Sequence, residues 1–320
     1  MHSPTIKHTT GFFLSLIAAM LWGMLPVALK ELLAGMDAIT IVWYRFFAAG
    51  IVLFAWLTIQ RKIPQILRQA SQIKWFLLFA AVGLCINYFL FSYSLNFVNG
   101  ETSEAVIQLT TLFLILGGVF LYKEPFLAVQ KVGTGLIICG LLLFFNDRLS
   151  GFLSLENRET IGVVIVVFAA ITWAVYALLQ KQLLNSFSSV QILFLIYAFS
   201  SVALLPLISP LSLFQLSEIQ VYLLLFCCLN TMIAYGCFAE ALNCWDASKV
   251  SAVLALAPLF TIGSLKLLVF FQPDYAFSDR LSMLSLLGAF LLVVGSALTA
   301  LMPVFQQYRA NKRATLTEPV

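Results

Sequence analysis

The chain has 320 residues, of which 62% are hydrophobic and 10% charged, with 29 Phe, six Cys and a formal net charge of +4. Soluble domains devote about a quarter of their residues to charge, so this composition cannot clothe a water-exposed surface. The basic excess sits in short tails and loops and gives no basis for nucleic-acid binding.

A membrane span takes roughly 20 mainly apolar residues to cross a hydrocarbon core of about 30 Å. In chain order, weakly charged runs place helices at 11–29, 38–59, 75–96, 103–121, 130–146, 161–180, 190–208, 219–239, 248–270 and 283–302. The expected fold class is all-α integral membrane, with ten transmembrane helices. The first run follows Lys7 but carries Trp22 and Pro26 late and lacks a small-x-small cleavage site, so it reads as a retained helix rather than a signal peptide.

The longest connection, Asp147 to Thr160, holds Gly151, Asn157 and three acidic residues. It divides the chain into a five-helix unit at 11–146, an extracytoplasmic linker at 147–160, a second five-helix unit at 161–302 and a cytoplasmic tail at 303–320. Lys and Arg counts in short loops set orientation. With the N-terminus inside, the inner segments hold twelve (Lys7, Arg61, Lys62, Arg68, Lys74, Lys123, Lys131, Lys181, Lys249, Arg309, Lys312, Arg313) and the outer ones four (Lys30, Arg148, Arg158, Arg280). Both termini are therefore expected in the cytoplasm, with the protein in the inner (plasma) membrane.

The halves repeat each other. Ala18-Ala19-Met20-Leu21-Trp22 returns as Ala169-Ala170-Ile171-Thr172-Trp173, with Lys30 and Lys181 eight residues beyond each Trp. Leu95-Asn96-Phe97-Val98-Asn99 returns as Leu242-Asn243-Cys244-Trp245-Asp246, Glu124-Pro125 as Gln272-Pro273, and Gly133/Gly140 as Gly288/Gly295. An odd number of spans per unit makes the second copy enter the membrane upside down, and inverted repeats are characteristic of secondary transporters.

With these motifs, Leu21-Trp22-Gly23 with Lys30, Arg45-Phe46-Phe47-Ala48, Glu124, Pro258-Leu259 and the paired glycines of the fifth and tenth spans, the chain resembles the drug/metabolite transporter superfamily, and within it the EamA-type ten-helix transporters. The resemblance covers about residues 11–302. It implies two inverted five-helix repeats around a central cavity and transport of small organic solutes, often outward. Two positions depart from the pattern: Thr111 stands where the first repeat commonly has the proline seen at Pro258, and Gln272 replaces the glutamate found at Glu124.

Ionisable groups within hydrocarbon cost several kcal/mol unless paired or wetted, so each is a candidate for function. Arg45, about 10 Å below the outer end of the second helix, either binds a substrate carboxylate or ties helix ends together. Glu104, Gln108 and Thr111 share one helical face, and the equivalent face in the second repeat reads Ser251, Ala255 and Pro258. That face lines either the cavity or a helix contact. Asn87 and Asn230 are buried amides at related places in the repeats, and Trp22, Tyr88, Trp173, Tyr176 and Tyr235 lie well inside spans. The candidate substrate site is thus Trp22, Arg45, Asn87, Tyr88, Gln108, Trp173, Tyr176, Asn230 and Tyr235. Lys266 reads as a snorkelling residue, Glu240 as a hydrated helix-end carboxylate and the six Cys as core packing.

The only histidines, His2 and His8, lie in the N-terminal tail, and the chain holds no HExxH and no GxSxG. No catalytic role, metal or cofactor is expected. The partners are a small-molecule substrate and the lipid bilayer, and proton coupling is unknown. The favoured function is a secondary transporter of a small metabolite such as an amino acid, acting as an exporter by alternating access. A lipid or lipid-linked carrier flippase on the same fold is the alternative.

Cysteine-accessibility labelling on a cysteine-free background tests the topology. Cysteine in place of Lys62 or Asn311 should react only from inside, and cysteine in place of Asn157 should react from outside.

Overall fold

The computed structural model describes residues 4–123, 125–149, 157–244 and 247–317. Glu124, Trp245 and Asp246 of the repeat motifs lie outside the described residues, as do residues 150–156 of the linker. Twelve α-helices run among the described residues: α1 (Pro4–Leu32), α2 (Ala38–Ile59), α3 (Ser71–Ser94), α4 (Gly100–Ile107), α5 (Leu109–Tyr122), α6 (Ala128–Phe144), α7 (Arg158–Leu183), α8 (Ser189–Leu204), α9 (Glu218–Cys244), α10 (Ala247–Leu254), α11 (Ala257–Phe271) and α12 (Met283–Thr317). Nine stretches are long and apolar enough to cross a membrane, and α6, with 17 residues, is a shorter apolar helix completing ten. Helices follow from the solvent: hydrocarbon offers no hydrogen bonds, so each backbone must satisfy its own.

The starts are set where the chain leaves the apolar phase. Asp37 accepts from the Thr40 N–H at 2.9 Å, Asn157 from the Glu159 N–H at 2.9 Å, and Ser188 from the Gln191 N–H at 3.3 Å. Each is a side-chain oxygen satisfying a donor that the first helical turn leaves unpaired. At the far end, α12 continues beyond the expected boundary, so residues 303–317 of the tail are helical.

The fourth and ninth spans differ from the continuous helices expected. Each is divided: α4 and α5 meet at Gln108, and α10 and α11 meet at Ala255-Leu256. Both junctions tighten into three-residue hydrogen bonds, Thr111 N–H to Gln108 O at 3.1 Å, Leu256 N–H to Val253 O at 3.0 Å and Leu259 N–H to Leu256 O at 2.9 Å. Pro258 accounts for the second, because it has no N–H to continue the ladder. At Gln108 there is no proline, and the tightening coincides with the wall of the central cavity described below.

Packing obeys an exchange of the two repeats. The contact of α3 with α7 is mirrored by that of α9 with α1, α4 and α5 on α7 by α10 and α11 on α1, and α3 on α8 by α9 on α2. The pairs α2 with α8 and α6 with α12 map onto themselves, and α6 with α12 is the most extensive contact. These are the contacts of ten spans in two inverted five-helix repeats.

Glycines make the α6–α12 crossing reciprocal. A Cβ at Gly133 would lie 2.7 Å from the Gly295 carbonyl oxygen, and one at Gly295 would lie 2.7 Å from that of Gly133. Gly140 and Gly288 meet the same way, at 2.8 and 2.6 Å. Gly133 faces Gly295 while Gly140 faces Gly288, so the helices run antiparallel, and the same patch of each contacts the other as in a two-fold interface. Removing side chains lets the backbones approach closely.

Two further spans are pegged by amides. Asn87 on α3 donates to the Ala169 carbonyl of α7 at 2.8 Å, and Asn230 on α9 donates to the Leu21 carbonyl of α1. The two are one turn out of strict register: with Trp22 matched to Trp173, Leu21 corresponds to Thr172, whose carbonyl instead lies 3.2 Å from a Cβ built at Gly83.

The cysteines are unpaired thiols, but packing describes only some of them: Cys227 and Cys228 are buried and Cys139 is exposed on the outer surface of α6.

Leucine at Gly140 or Gly295 should sharply reduce folded protein recovered from membranes, since overpacking costs about 1–3 kcal/mol or more where backbone must move. Gly135→Ala, where an added Cβ meets nothing within 4 Å, should be tolerated. Equal recovery of all three, by fluorescence-detected size-exclusion chromatography, would contradict the crossing.

Candidate functional site

A cavity of about 400 Å³ lies at the centre of the bundle. Its walls come from both repeats: Trp22 and Leu25 of α1, Arg45 of α2, Asn87, Tyr88 and Phe91 of α3, residues from Glu104 to Ile115 on the fourth span, Trp173 of α7, Tyr235 of α9, Ser251 to Ala257 on the ninth span, and Thr299 and Ala300 of α12. A mostly apolar wall with a few convergent polar groups is the usual character of a small-molecule site.

Seven of the nine residues singled out from the sequence line this cavity: Trp22, Arg45, Asn87, Tyr88, Gln108, Trp173 and Tyr235. Tyr176 and Asn230 do not. Tyr176 is 3% exposed and packs in the cluster with Leu77, Ala80 and Leu84, because Gly83 lets α3 and α7 close over it. Asn230 commits its N–H to Leu21, and its Oδ1 is buried without a partner.

Arg45 has two attachments that also fix its direction. Its Nε donates to Thr231 Oγ1 at 3.0 Å, and its guanidinium lies over the Tyr88 ring at 4.6 Å. Thr231 in turn donates to the Cys227 carbonyl at 2.9 Å. Arg45 thus ties α2 to α9, the structural role open from the sequence, and also lines the cavity. Aromatic contacts hold the neighbouring walls: Phe46 lies 4.7 Å from Tyr88 and 5.2 Å from Tyr197, and Trp22 meets Tyr235 edge-on at 5.2 Å. Gln108 accepts from Ser296 Oγ at 3.1 Å.

The three residues of the polar stripe, Glu104, Gln108 and Thr111, all face the cavity, as do Ser251 and Ala255 of the equivalent stripe. Glu104, outside the nine but on the stripe read from the sequence as lining either the cavity or a helix contact, is in the cavity wall. Thr299 and Ala300 were missed, being small residues in an apolar run with nothing to mark them.

One end of the bundle is closed by a polar cluster. Arg148 Nη1 meets Glu159 Oε1 at 2.6 Å and Asp279 Oδ1 at 3.6 Å. Asp279 accepts from Asn99 Nδ2 at 3.0 Å and Thr102 Oγ1 at 2.7 Å. Glu101, fully buried, accepts from Ser278 Oγ at 2.7 Å and the Asp279 N–H at 3.2 Å, with Lys266 Nζ 3.8 Å away. Lys266 therefore does not simply snorkel to water: it donates to Ser278 Oγ at 3.1 Å and the Asp279 carbonyl at 2.6 Å. Lys30, at the same end, donates to the Leu95 and Val98 carbonyls. The cluster draws the starts of α4 and α7 onto the loop before α12. The cavity instead extends toward the opposite end, where Ser251, Thr299 and Ala300 lie.

A wider crevice of about 1080 Å³ runs between α1, α9 and α11. It is lined mainly by Met24, Val27, Leu223, Phe226, Leu267 and Phe271, with Glu31 and Tyr275 at its rim. Burial first, then the Glu31 carboxylate, push the Tyr275 phenol above the usual tyrosine range. Its polar lining, Ser217, Gln220, Gln272 and Asp274 beside Glu31 and Tyr275, comes mostly from helix ends and loops rather than from the middle of spans.

The EamA-like transporter family matches residues 9–146 and 160–301. An uncharacterized transporter of Haemophilus influenzae is 40% identical over 291 residues, covering 91% of this chain and 94% of its own. The uncharacterized inner membrane transporter YhbE of Escherichia coli K12 is 39% identical over 293 residues, covering 91% of each. A probable amino-acid metabolite efflux pump of the same organism is 21% identical over 298 residues, covering 88% of this chain and 92% of its own. A crystal structure 17% identical in sequence superposes with a TM-score of 0.62, over 94% of this chain and 99% of that one, which shows a shared fold.

On a cysteine-free background, cysteine at Ser251 should react with a small membrane-impermeant thiol reagent added from the Lys62 side, and cysteine at Thr102 should be protected. Rapid labelling of the Thr102 position alone would mean that the closed end has been misassigned.

Proposed function

This chain belongs to the EamA-like transporter family, and we propose that it is a secondary transporter of a small organic metabolite, an amino acid or related solute, in the bacterial inner membrane. Membrane transport is the property the family carries. The observation that supports the finer reading is the central cavity, in which Arg45, Gln108 and Asn87 converge among Trp22, Trp173, Tyr88 and Tyr235. Apolar walls would leave a bare ion unsolvated, whereas a metabolite with an apolar body and a few polar groups is matched in both.

Alternating access supplies the mechanism. Inverted repeats exchange conformations, so a bundle open at one end has a counterpart open at the other. The Arg148, Glu159, Asp279 and Glu101 cluster is a closure of this kind: it lies at the end carrying few Lys and Arg, which the loop charges assign to the outside. In this reading solute enters from the cytoplasm, the cluster separates and the opposite mouth shuts. Export fits the name of the Escherichia coli relative, a probable amino-acid metabolite efflux pump. The loop charges support both termini in the cytoplasm, and the relative named an inner membrane transporter supports the location.

The test is uptake of a labelled amino-acid and metabolite panel into proteoliposomes, with and without a pH gradient. At least one small polar metabolite should be carried. Alanine at Trp22, Gln108 or Trp173 should reduce its transport about tenfold or more, the scale of one lost pocket contact, with membrane abundance near parental. Variants that lose only abundance, or transport at the parental rate, would make these residues packing elements. Movement of labelled lipid without any metabolite would favour a flippase.

A further inference from the structure

The central cavity has two charged side chains in its wall, Arg45 and Glu104, and they are of opposite sign. Arg45 is 3% exposed and Glu104 is 6% exposed, so bulk water screens neither. Among the described residues no ion pair joins them: Arg45 gives its Nε to Thr231, and no hydrogen bond or ion pair is made by the Glu104 carboxylate. Other buried carboxylates near it are treated differently. One turn earlier, Glu101 is held by Ser278, the Asp279 N–H and Lys266.

A buried carboxylate with no partner costs several kcal/mol in its charged form. The sequence had an inexpensive alternative, since the equivalent position in the second repeat is Ser251, which lines the same cavity. We propose that Glu104 is the ammonium subsite of the cavity, paired across it with Arg45 as the carboxylate subsite, so that the solute recognised is a zwitterion of the α-amino-acid type. The guanidinium presents a planar fork that matches a carboxylate, and the Tyr88 ring beneath it leaves its remaining N–H groups available. The ionised carboxylate of Glu104 is acceptor-only, which suits the N–H donors of an ammonium. Trp22 and Trp173 then contact the solute side chain. This rests on the transport reading above and adds the charge rule for its substrate.

The experiment uses matched triads: phenylalanine, phenethylamine and 3-phenylpropanoate, and the corresponding series built on leucine. Binding to the purified full-length protein is read by tryptophan fluorescence, and uptake is read in proteoliposomes. The parent should prefer the zwitterion to both analogues by about tenfold or more. Glu104→Gln should abolish the preference for the amino acid over the acid lacking the amine, and Glu104→Asp should retain part of it. Both variants are checked for parental elution in size-exclusion chromatography, and if Glu104→Gln does not fold, Glu104→Asp carries the comparison.

The inference is overturned if Glu104→Gln keeps the parental preference. It is also overturned if the variant weakens acid and amino acid alike, or if it changes only the pH dependence of uptake, which would make Glu104 a proton site. If the parent carries other metabolites without favouring zwitterions, this inference fails while transport stands. If it carries nothing from the full panel, both fail.

Discussion

Hydrocarbon gives a buried polar atom nothing to bond to, so polar groups within the spans gain by bonding to another part of the protein. In this chain that constraint appears as the amide pegs of Asn87 on Ala169 and Asn230 on Leu21. Each bond joins a third span of one repeat to the first span of the other. The same pairs bring Trp22 and Trp173 to the centre, since they lie one and four residues along the helix from the carbonyls that accept. Glycine brings backbone against backbone, beside the Asn87 peg at Gly83 in the α3–α7 contact and at the four glycines of α6 and α12. The central cavity is the space these contacts leave.

Much of the fold was legible because membrane crossing is a strong filter on composition. Apolar runs of span length, Lys and Arg in alternate loops and the duplicated Trp and Gly motifs gave ten helices and their pairing into repeats. The divided fourth span was not legible: Pro258 marks its counterpart, but nothing in Gln108 or Thr111 forces the tightened turn, which arises from packing around the cavity. Residues 303–317 lack an apolar run, so a helical continuation left no signal of the kind used to find spans.

The site was legible where chemistry stood out against an apolar background. Arg45, Gln108 and the intramembrane tryptophans are conspicuous for that reason, and Tyr176 was included on the same ground although Gly83 admits it to a packed cluster. The polar closure was not legible. Its members, Glu101, Arg148, Glu159 and Asp279, sit at helix ends and in loops, where charge is ordinary, and only the folded chain brings positions 178 residues apart, Glu101 and Asp279, within 3.2 Å. Lys266 shows the same limitation, since a lysine one turn from a helix end reads equally well as snorkelling or as a partner for another loop.

The two repeats share a backbone plan but not a charge plan. Counted from the N-caps Asp37 and Ser188, the counterpart of Arg45 is Ile196, fully buried in the core around α8. The counterpart of Glu104 is Ser251 and that of Gln108 is Ala255. A duplicated protein that kept both halves alike would present a two-fold symmetric set of charges, and a solute could bind in either of two orientations. Here the cation and the carboxylate both come from the first repeat, so the cavity has one electrostatic direction. The closing cluster divides differently, with Glu101 and Arg148 from the first repeat and linker, and Glu159, Lys266 and Asp279 from the linker and second repeat. In the alternating-access mechanism proposed above, opening that end would break charged contacts between the repeats. Under the alternating-access mechanism proposed above, a solute held on α2 and the fourth span would rest on one repeat while the cluster joining both repeats opens.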